Sequence, residues 1–150
     1  MNEPSEPFVW DRPDPFTIAV SAEPQHIDSY GHVNNVVYIQ WLTDCAWAHS
    51  AAVGLPEHQC VELRRGMAVR KIAVEMLAAA YAGDQLTVAN WITSSDGRLR
   101  ATRTYQIVNL ATGVTHLRGH VDFVCVNLTN GRPVRMPPEF LTRYAVGFKP

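Results

Sequence analysis

Hydrophobic and polar residues alternate along five segments of the chain, and this period of two is typical of half-buried β-strands. In the first segment, Phe16, Ile18 and Val20 alternate with Thr, Ala and Ser. Turn signals rich in Gly, Asp and Asn separate the later segments, as expected for antiparallel hairpins. The pattern predicts strands over residues 16–21, 66–80, 86–93, 99–109 and 114–126.

One long helical pattern occupies residues 34–53, between the first and second predicted strands. Its apolar residues cover a wide face instead of a narrow stripe, which predicts a helix buried on most sides. Asn34 is the expected N-cap, and Gly54 followed by Pro56 is a strong helix stop. Residues 138–144 are expected to add a short terminal helix.

This order of elements, one strand, one long helix and then four strands, predicts an α+β fold. One curved antiparallel sheet wrapped around the central helix buries both apolar surfaces economically. A length of 150 residues fits one domain, able to bury roughly two-thirds of the surface of its unfolded chain. The acidic, Pro-rich residues 1–15 are expected to form an extended lead, and residues 16–150 the single domain.

Composition and charge exclude several classes of protein. The chain carries 13 Lys and Arg against 14 Asp and Glu, so net charge gives it no affinity for nucleic acid or an anionic membrane. No apolar run reaches the roughly 18 residues of a membrane-spanning helix, and the N-terminus does not resemble a signal peptide. The chain has 3 Cys without a Cys-x-x-Cys spacing, which argues against a disulfide framework. We therefore expect a cytoplasmic protein with reduced thiols.

Candidate chemistry is concentrated in the loop that enters the predicted helix, which reads Asp28-Ser29-Tyr30-Gly31-His32-Val33-Asn34-Asn35. The first N–H groups of a helix have no intrahelical acceptor and suit a developing oxyanion. A nearby carboxylate can attack an acyl carbon or take a proton from the attacking water, and Gly31 permits a sharp turn of the chain. The simpler alternative is that Asp28 and Ser29 only shape and cap the loop, and that His32 is a structural histidine.

This loop resembles that of the hot-dog-fold acyl-CoA thioesterases, in particular the 4-hydroxybenzoyl-CoA thioesterase-like branch. The shared pattern is Asp-x-x-Gly-His-Val-Asn-Asn-x-x-Tyr followed by Trp, which here runs from Asp28 to Trp41. Plant acyl-carrier-protein thioesterases have a similar loop. The likeness extends to Gly54-Leu55-Pro56 after the helix, Gly83-Asp84 before a strand, and residues 131–137. It implies a hot-dog fold, with about five antiparallel strands curved around one long central helix, and thioester hydrolysis.

The resemblance implies a role for each position of the loop. Asp28 falls on the catalytic carboxylate, acting as nucleophile or general base toward the thioester. The backbone N–H of Asn35, with that of Val36, falls where the thioester carbonyl oxygen is polarised. The expected catalytic residues are Asp28, His32 and Asn35, and the expected substrate-binding residues are Tyr30, Gly31, Asn34, Val36, Tyr38 and Asp44.

Two of these positions differ from the family pattern or between its branches. Plant enzymes have Asn where this chain has Tyr30. A second acidic residue on the helix stands at Asp44 in the plant branch, whereas the bacterial branch would place it at Thr43. Tyr38 and Trp41 are more simply explained as core and pocket wall than as catalytic groups.

The resemblance also implies a homodimer or homotetramer in which a neighbouring subunit completes each active site. It implies no metal and no cofactor, since coenzyme A is part of the acyl-CoA substrate. A solvated strand face explains most of the arginines equally well. The first candidates to hold the CoA phosphates are Arg64, Arg65, Lys71 and Arg135.

Two other functions stay open. A hot-dog dehydratase or hydratase of acyl thioesters would pair a His with a carboxylate, a role open to His32 and Asp28. A non-catalytic acyl-CoA-binding module would use the same pocket but has no need of Asp28. Acyl chain length, and the choice between CoA and acyl-carrier-protein thioesters, depend on pocket shape. A metal site at His116 and His120 is not expected, because residues four apart on a strand lie roughly 13 Å apart.

Overall fold

Five strands form one antiparallel sheet in the computed structural model, which describes residues 7–150. The strands are β1 (Phe16–Ser21), β2 (Arg65–Met76), β3 (Gln85–Ser95), β4 (Arg100–Asn109) and β5 (Val114–Asn127), and the helices are α1 (Asn35–Ala52), α2 (Glu57–Leu63) and α3 (Pro138–Arg143). A 3₁₀ turn, Pro24–His26, lies between β1 and α1. The predicted α+β class is confirmed, and each predicted strand and helix is present within a few residues of its expected bounds.

The order of strands across the sheet is β1-β3-β4-β5-β2. Strands β3, β4 and β5 follow one another as hairpins, whereas β2 lies at the far edge and pairs with β5. Hydrophobic alternation predicts the strands but not this order, because the period does not specify which neighbour a strand selects. As a result β1 and β2 are the edges of the sheet and β4 is its centre.

Helix α1 packs across one face of the sheet and fills the main core. Its buried residues are Tyr38, Trp41, Leu42, Cys45 and Ser50. The apolar members of this set pack against inner-strand residues that include Val88, Tyr105, Ile107 and Leu117. The helix begins as predicted, since Oδ1 of the N-cap Asn34 accepts the N–H of Val36 at 3.1 Å. It ends before Gly54, whose φ of +86° favours glycine.

The prediction that α1 is buried on most sides is wrong for the single chain. Val36 is 71% exposed and Trp47 is 43% exposed, and Gln40, Thr43 and Asp44 are exposed as well. The sheet covers only one face of the helix, so part of its wide apolar face is left uncovered.

Helix α2 is not predicted by the sequence pattern, because seven residues are too few to display helical periodicity. It ends at Arg64, which has a left-handed φ of +53°. Cys60 of α2 packs with Leu55, Cys125 and Phe140 in a second apolar cluster beside α3. All three cysteines of the chain are free and buried.

Residues 7–15 of the predicted lead lie against the sheet face opposite α1. The N–H of Asp11 donates to Gln106 Oε1 at 3.0 Å, and its carboxylate pairs with Arg118 at 2.6 Å. Trp91 Nε1 donates to the carbonyl of Pro13 at 2.9 Å. Residues 1–6 of the lead lie outside the described part of the chain. Within residues 7–150, no helix is both long enough and apolar enough to span a membrane.

Candidate active site

The loop of residues 27–33, called here the Asp28 loop, is closed by its own backbone. The N–H of Asp28 donates to the carbonyl of His32 at 2.9 Å, and the N–H of Gly31 donates to the carbonyl of Asp28 at 3.0 Å. Gly31 has a φ of +82°, a conformation that L side chains rarely adopt. Ile27 and Val33 pair as a β-bridge at the base of the loop. These contacts fix the backbone position of Asp28.

The carboxylate of Asp28 is only partly engaged by the protein. The residue is half-buried, and its Oδ1 accepts the N–H of Tyr30 at 2.9 Å. Within residues 7–150, no donor contacts Oδ2. A carboxylate held through one oxygen keeps lone pairs that can take a proton or attack an acyl carbon. The geometry therefore suits a base or nucleophile.

The start of α1 presents one free N–H group beside this loop. The N–H of Val36 donates to the Asn34 side chain at 3.1 Å, and the N–H of Val37 donates to the Asn34 carbonyl at 2.9 Å. The N–H of Asn34 donates to the carbonyl of His26. No acceptor for the N–H of Asn35 lies within the described chain. The predicted oxyanion donor at Asn35 is thus available, whereas the donor at Val36 is occupied by the helix cap.

The remaining side chains of the loop face different surroundings. Tyr30 is 85% exposed. The imidazole of His32 packs edge-on against Tyr81, with ring centroids 5.2 Å apart, and its carbonyl closes the loop onto Asp28. His32 therefore has a structural contact through its backbone, and its ring has no hydrogen bond within residues 7–150.

Two further predicted binding residues, Tyr38 and Asp44, lie on α1 outside the Asp28 loop. Tyr38 is buried in the core, where its hydroxyl accepts the N–H of Ala80 at 3.2 Å and burial raises its pKa. Asp44 is exposed and accepts Gln40 Nε2 at 2.8 Å. Thr43, the alternative position, lines the cavity described next. Tyr38 therefore supports the core, which is the simpler of its two predicted roles.

An apolar cavity of about 140 Å³ lies between α1 and the sheet. Its walls include Ile39, Thr43 and Trp47 of α1 together with Val69 and Ile72 of the edge strand β2. The Asp28 loop contributes no residue to these walls. One chain therefore holds a carboxylate site and an apolar cavity that do not share a lining residue.

Sequence reasoning missed a buried polar network at one wall of this cavity. Arg103 of β4 is 6% exposed, and its Nη1 bonds to Asn90 Oδ1 at 2.9 Å and to His49 Nδ1 at 2.5 Å. A signal for it was present, because Arg103 shares the apolar face of a predicted strand with Ala101 and Tyr105. Burial, and then the charge of Arg103, lower the pKa of His49 to about 4.

The pKa of His49 predicts a loss of stability in acid. An unfolded histidine has a pKa near 6.5, so between pH 6.5 and about 4 the unfolded chain binds more protons than the folded chain, and stability falls as pH falls through this window. We expect the free energy of urea unfolding to drop by roughly 2 kcal/mol more between pH 7 and 4.5 in wild type than in His49→Gln. The exposed His58→Gln is the control and should keep the wild-type drop. Equal drops in all three proteins would contradict the assignment.

The cations predicted to hold CoA phosphates do not form one cluster. Arg64 and Arg65 lie at the junction of α2 and β2, and Arg135 lies on the other side of the β5 end, next to Val134. Lys71 lies six residues along β2 from Arg65, or roughly 20 Å at the rise of a strand. Within residues 7–150, no group of three or more His, Cys, Asp or Glu side chains is placed to hold a metal ion.

Comparison with known proteins places this geometry in context. A sequence model described as the thioesterase-like superfamily matches residues 22–144. No curated protein matches the chain by sequence. Three solved structures that resemble it share 18–19% identity with it, so their likeness establishes the fold alone.

The first of these is the 1,4-dihydroxy-2-naphthoyl-CoA thioesterase Slr0204 from Synechocystis, with a TM-score of 0.78, 18% identity and coverage of 87% of this chain and 96% of that chain. The second is SAV2348 from Staphylococcus aureus in complex with CoA, with a TM-score of 0.80, 19% identity and coverage of 87% and 81%. The third is the probable thioesterase YbaW from Escherichia coli, with a TM-score of 0.72, 18% identity and coverage of 87% and 98%. The expected hot-dog fold is confirmed.

Proposed function

This chain belongs to the thioesterase-like superfamily, and we propose that it hydrolyses acyl-CoA thioesters to the free acid and CoA. The observation that carries the proposal is the half-buried Asp28 carboxylate, whose Oδ2 meets no donor within residues 7–150, in the loop that leads to the N–H of Asn35, which has no acceptor among the same residues. A carboxylate and an oxyanion donor are the two groups that thioester hydrolysis needs.

In this mechanism the N–H of Asn35 donates to the thioester carbonyl oxygen as negative charge develops on it. The macrodipole of the 18-residue α1 adds to this stabilisation. Asp28 either takes a proton from water, whose oxygen then adds to the acyl carbon, or attacks that carbon itself and is released by water. In both routes the C–S bond breaks, the thiolate of CoA leaves, and it gains a proton.

We further propose that a second copy of the chain completes each site, in a homodimer or homotetramer. The cavity between α1 and the sheet, which is the proposed acyl pocket, has no residue of the Asp28 loop in its walls. A single chain therefore does not bring this pocket and the Asp28 carboxylate together. No strand of the described residues 7–150 pairs with the outer edge of β2, and Val69 and Ile72 on that strand are 51% and 44% exposed. An exposed apolar edge strand of this kind is usually covered in the assembled protein. The open cavity and the edge strand share these two residues.

For the nucleotide end of CoA we propose Arg64, Arg65 and Arg135, which lie at the same end of the sheet. Guanidinium groups pair with phosphate through two parallel hydrogen bonds. Lys71 is roughly 20 Å from Arg65 along β2 and fits this group least well.

The test is thiol release from a panel of acyl-CoAs that varies chain length and includes aromatic acyl groups. We expect release with at least one member, at a rate well above the uncatalysed reaction. Hydration of an enoyl-CoA without thiol release would instead indicate a dehydratase or hydratase. Tight binding of acyl-CoA with neither reaction would indicate a binding module. Release only from acyl-carrier-protein thioesters would keep the chemistry and change the carrier.

A further inference from the structure

Arg103 places a positive charge in the interior between the sheet and α1. It lies on β4, the central strand, on the same face as Ala101 and Tyr105, and only 6% of its surface is exposed. The side chain is one wall of the 140 Å³ cavity. A buried guanidinium is uncommon, because taking a charge out of water is costly unless an opposite charge compensates it.

The groups that surround this guanidinium are uncharged. Its Nη1 donates to Asn90 Oδ1 at 2.9 Å and to His49 Nδ1 at 2.5 Å, and its Cζ lies 5.6 Å from the centroid of the Tyr144 ring. His49 is neutral at pH 7, with a pKa lowered to about 4 by burial, and burial raises the pKa of Tyr144 to about 12. Within residues 7–150 the ion pairs are Arg118–Asp11 and Lys149–Asp14, and neither involves Arg103.

The guanidinium retains donors that no group of residues 7–150 accepts. Burial lowers the pKa of Arg103, but a guanidinium starts so high that it keeps its proton at pH 7. Its Nε and Nη2 have no acceptor within the described chain. No fully inaccessible side-chain nitrogen or oxygen there lacks a partner, so these two nitrogens keep some accessible surface, and Arg103 is among the residues that line the cavity.

Two neighbouring hydroxyls of the cavity are already paired, whereas the Tyr105 hydroxyl has no hydrogen bond within residues 7–150. The hydroxyl of Ser50 donates to the carbonyl of Leu55 at 2.7 Å, and the hydroxyl of Tyr144 bonds to Ser50 at 2.5 Å. Apolar walls such as Ile39 and Phe123 make up most of the remaining surface. The cavity therefore combines apolar walls with one cation that has free donors.

We propose that Arg103 binds the carboxylate at the far end of an acyl group, so that the preferred substrates are thioesters of dicarboxylic acids. The inference rests on the proposed thioesterase function. The planar fork of Arg fits a carboxylate through two parallel hydrogen bonds, and the apolar walls suit the methylene groups between the two ends. A cavity of about 150 Å³ holds a benzene-sized molecule, so the acyl group is short.

The first experiment compares two acyl-CoAs that differ only at the far end of the chain. Hexanoyl-CoA ends in a methyl group, and the matching six-carbon ω-carboxyacyl-CoA ends in a carboxylate. We expect wild type to show a kcat/KM at least about tenfold higher for the carboxylate substrate, as for other charge-assisted contacts. Equal values, or a preference for hexanoyl-CoA, would overturn the proposal.

Variants at two arginines of β4 identify the group responsible. Arg103→Met should lower kcat/KM for the ω-carboxyacyl substrate by about 10²-fold and that for hexanoyl-CoA by far less, so that the preference for the carboxylate is lost. Arg103→Lys keeps the positive charge without the planar guanidinium, so its kcat/KM for the ω-carboxyacyl substrate should lie between those of wild type and Arg103→Met. The exposed Arg100→Met, on the same strand, should leave the ratio of the two substrates unchanged. A similar loss for both substrates in Arg103→Met would contradict the proposal. If that variant does not fold, the substrate ratios of wild type and Arg103→Lys test the proposal instead.

A binding measurement separates this inference from the proposed function. Titration calorimetry with the free six-carbon diacid and with hexanoate needs no turnover. Tighter binding of the diacid by wild type, lost in Arg103→Met, would support the carboxylate site even if no thioester were hydrolysed. Equal binding of the two acids would show that the second carboxylate adds no affinity, and the proposal would then fail.

Discussion

Replacing Asp28 with Asn is expected to lower kcat for acyl-CoA hydrolysis by a factor of roughly 10² or more, because an amide neither attacks an acyl carbon nor takes a proton from water. Asn keeps an oxygen where Oδ1 accepts the N–H of Tyr30, so the turn keeps its hydrogen bond. The measurement is the initial rate of thiol release from the best acyl-CoA of the panel. The unfolding temperature of the variant checks that the fold is retained.

The matched control is Asp96→Asn in the turn between β3 and β4. Asp96 resembles Asp28 in its local role, since its Oδ1 accepts the N–H of the residue two positions on, Arg98, at 2.8 Å. It also accepts the N–H groups of Leu99 and Arg100 at 2.9 Å, and these bonds lower its pKa. The Asp96 variant should lose some stability and keep its turnover. If Asp28→Asn also turned over close to wild type, Asp28 would not be the catalytic carboxylate.

The sequence predicts the elements of this fold because each one depends on contacts that are local in the chain. The pattern over residues 34–53 matches α1 (Asn35–Ala52) because the Asn34 cap and the Gly54 stop act within one turn of the helix ends. The position of β2 beyond β5 depends on pairing between residues about fifty positions apart. No local pattern encodes such a pairing.

The candidate site also contains some parts that depend on contacts local in the chain and others that depend on packing between distant segments. The Asp28 loop closes through hydrogen bonds between near neighbours, so its sequence pattern is enough to locate it. The N–H of Val36 donates to the Asn34 side chain that caps the helix, a detail of geometry that a pattern does not contain. Arg103 meets His49 and Asn90 only after three separate elements pack together. An arginine in an apolar alternation was the available signal, and it did not specify a partner.

A second large effect is expected at Gly119, in the middle of β5. The residue pairs with Val74 of β2 and with Tyr105 of β4. A Cβ placed on Gly119 would meet the backbone carbonyl oxygen of Ala73 and Cα of Val74 far inside van der Waals contact, the latter at 2.6 Å. Backbone atoms cannot rotate away from such a contact, so β2 would have to move off β5.

We expect Gly119→Ala to lower the free energy of unfolding by about 3 kcal/mol or more, at or above the upper end of the overpacking range. For a domain of this size the unfolding temperature should fall by roughly 6–12 °C. Urea and thermal unfolding followed by circular dichroism measure both quantities.

Gly66→Ala provides the matched control, because Gly66 is also a strand glycine, on β2. A Cβ there would meet only the side chain of Leu128, at 3.0 Å, and that side chain can change rotamer, so the loss should stay below about 1 kcal/mol. Losses of equal size in the two variants would show that β2 gives way as easily as a side chain. A larger loss at Gly119 would show instead that close approach of β2 to β5 fixes this edge of the sheet, and with it the wall that Val69 and Ile72 contribute to the cavity.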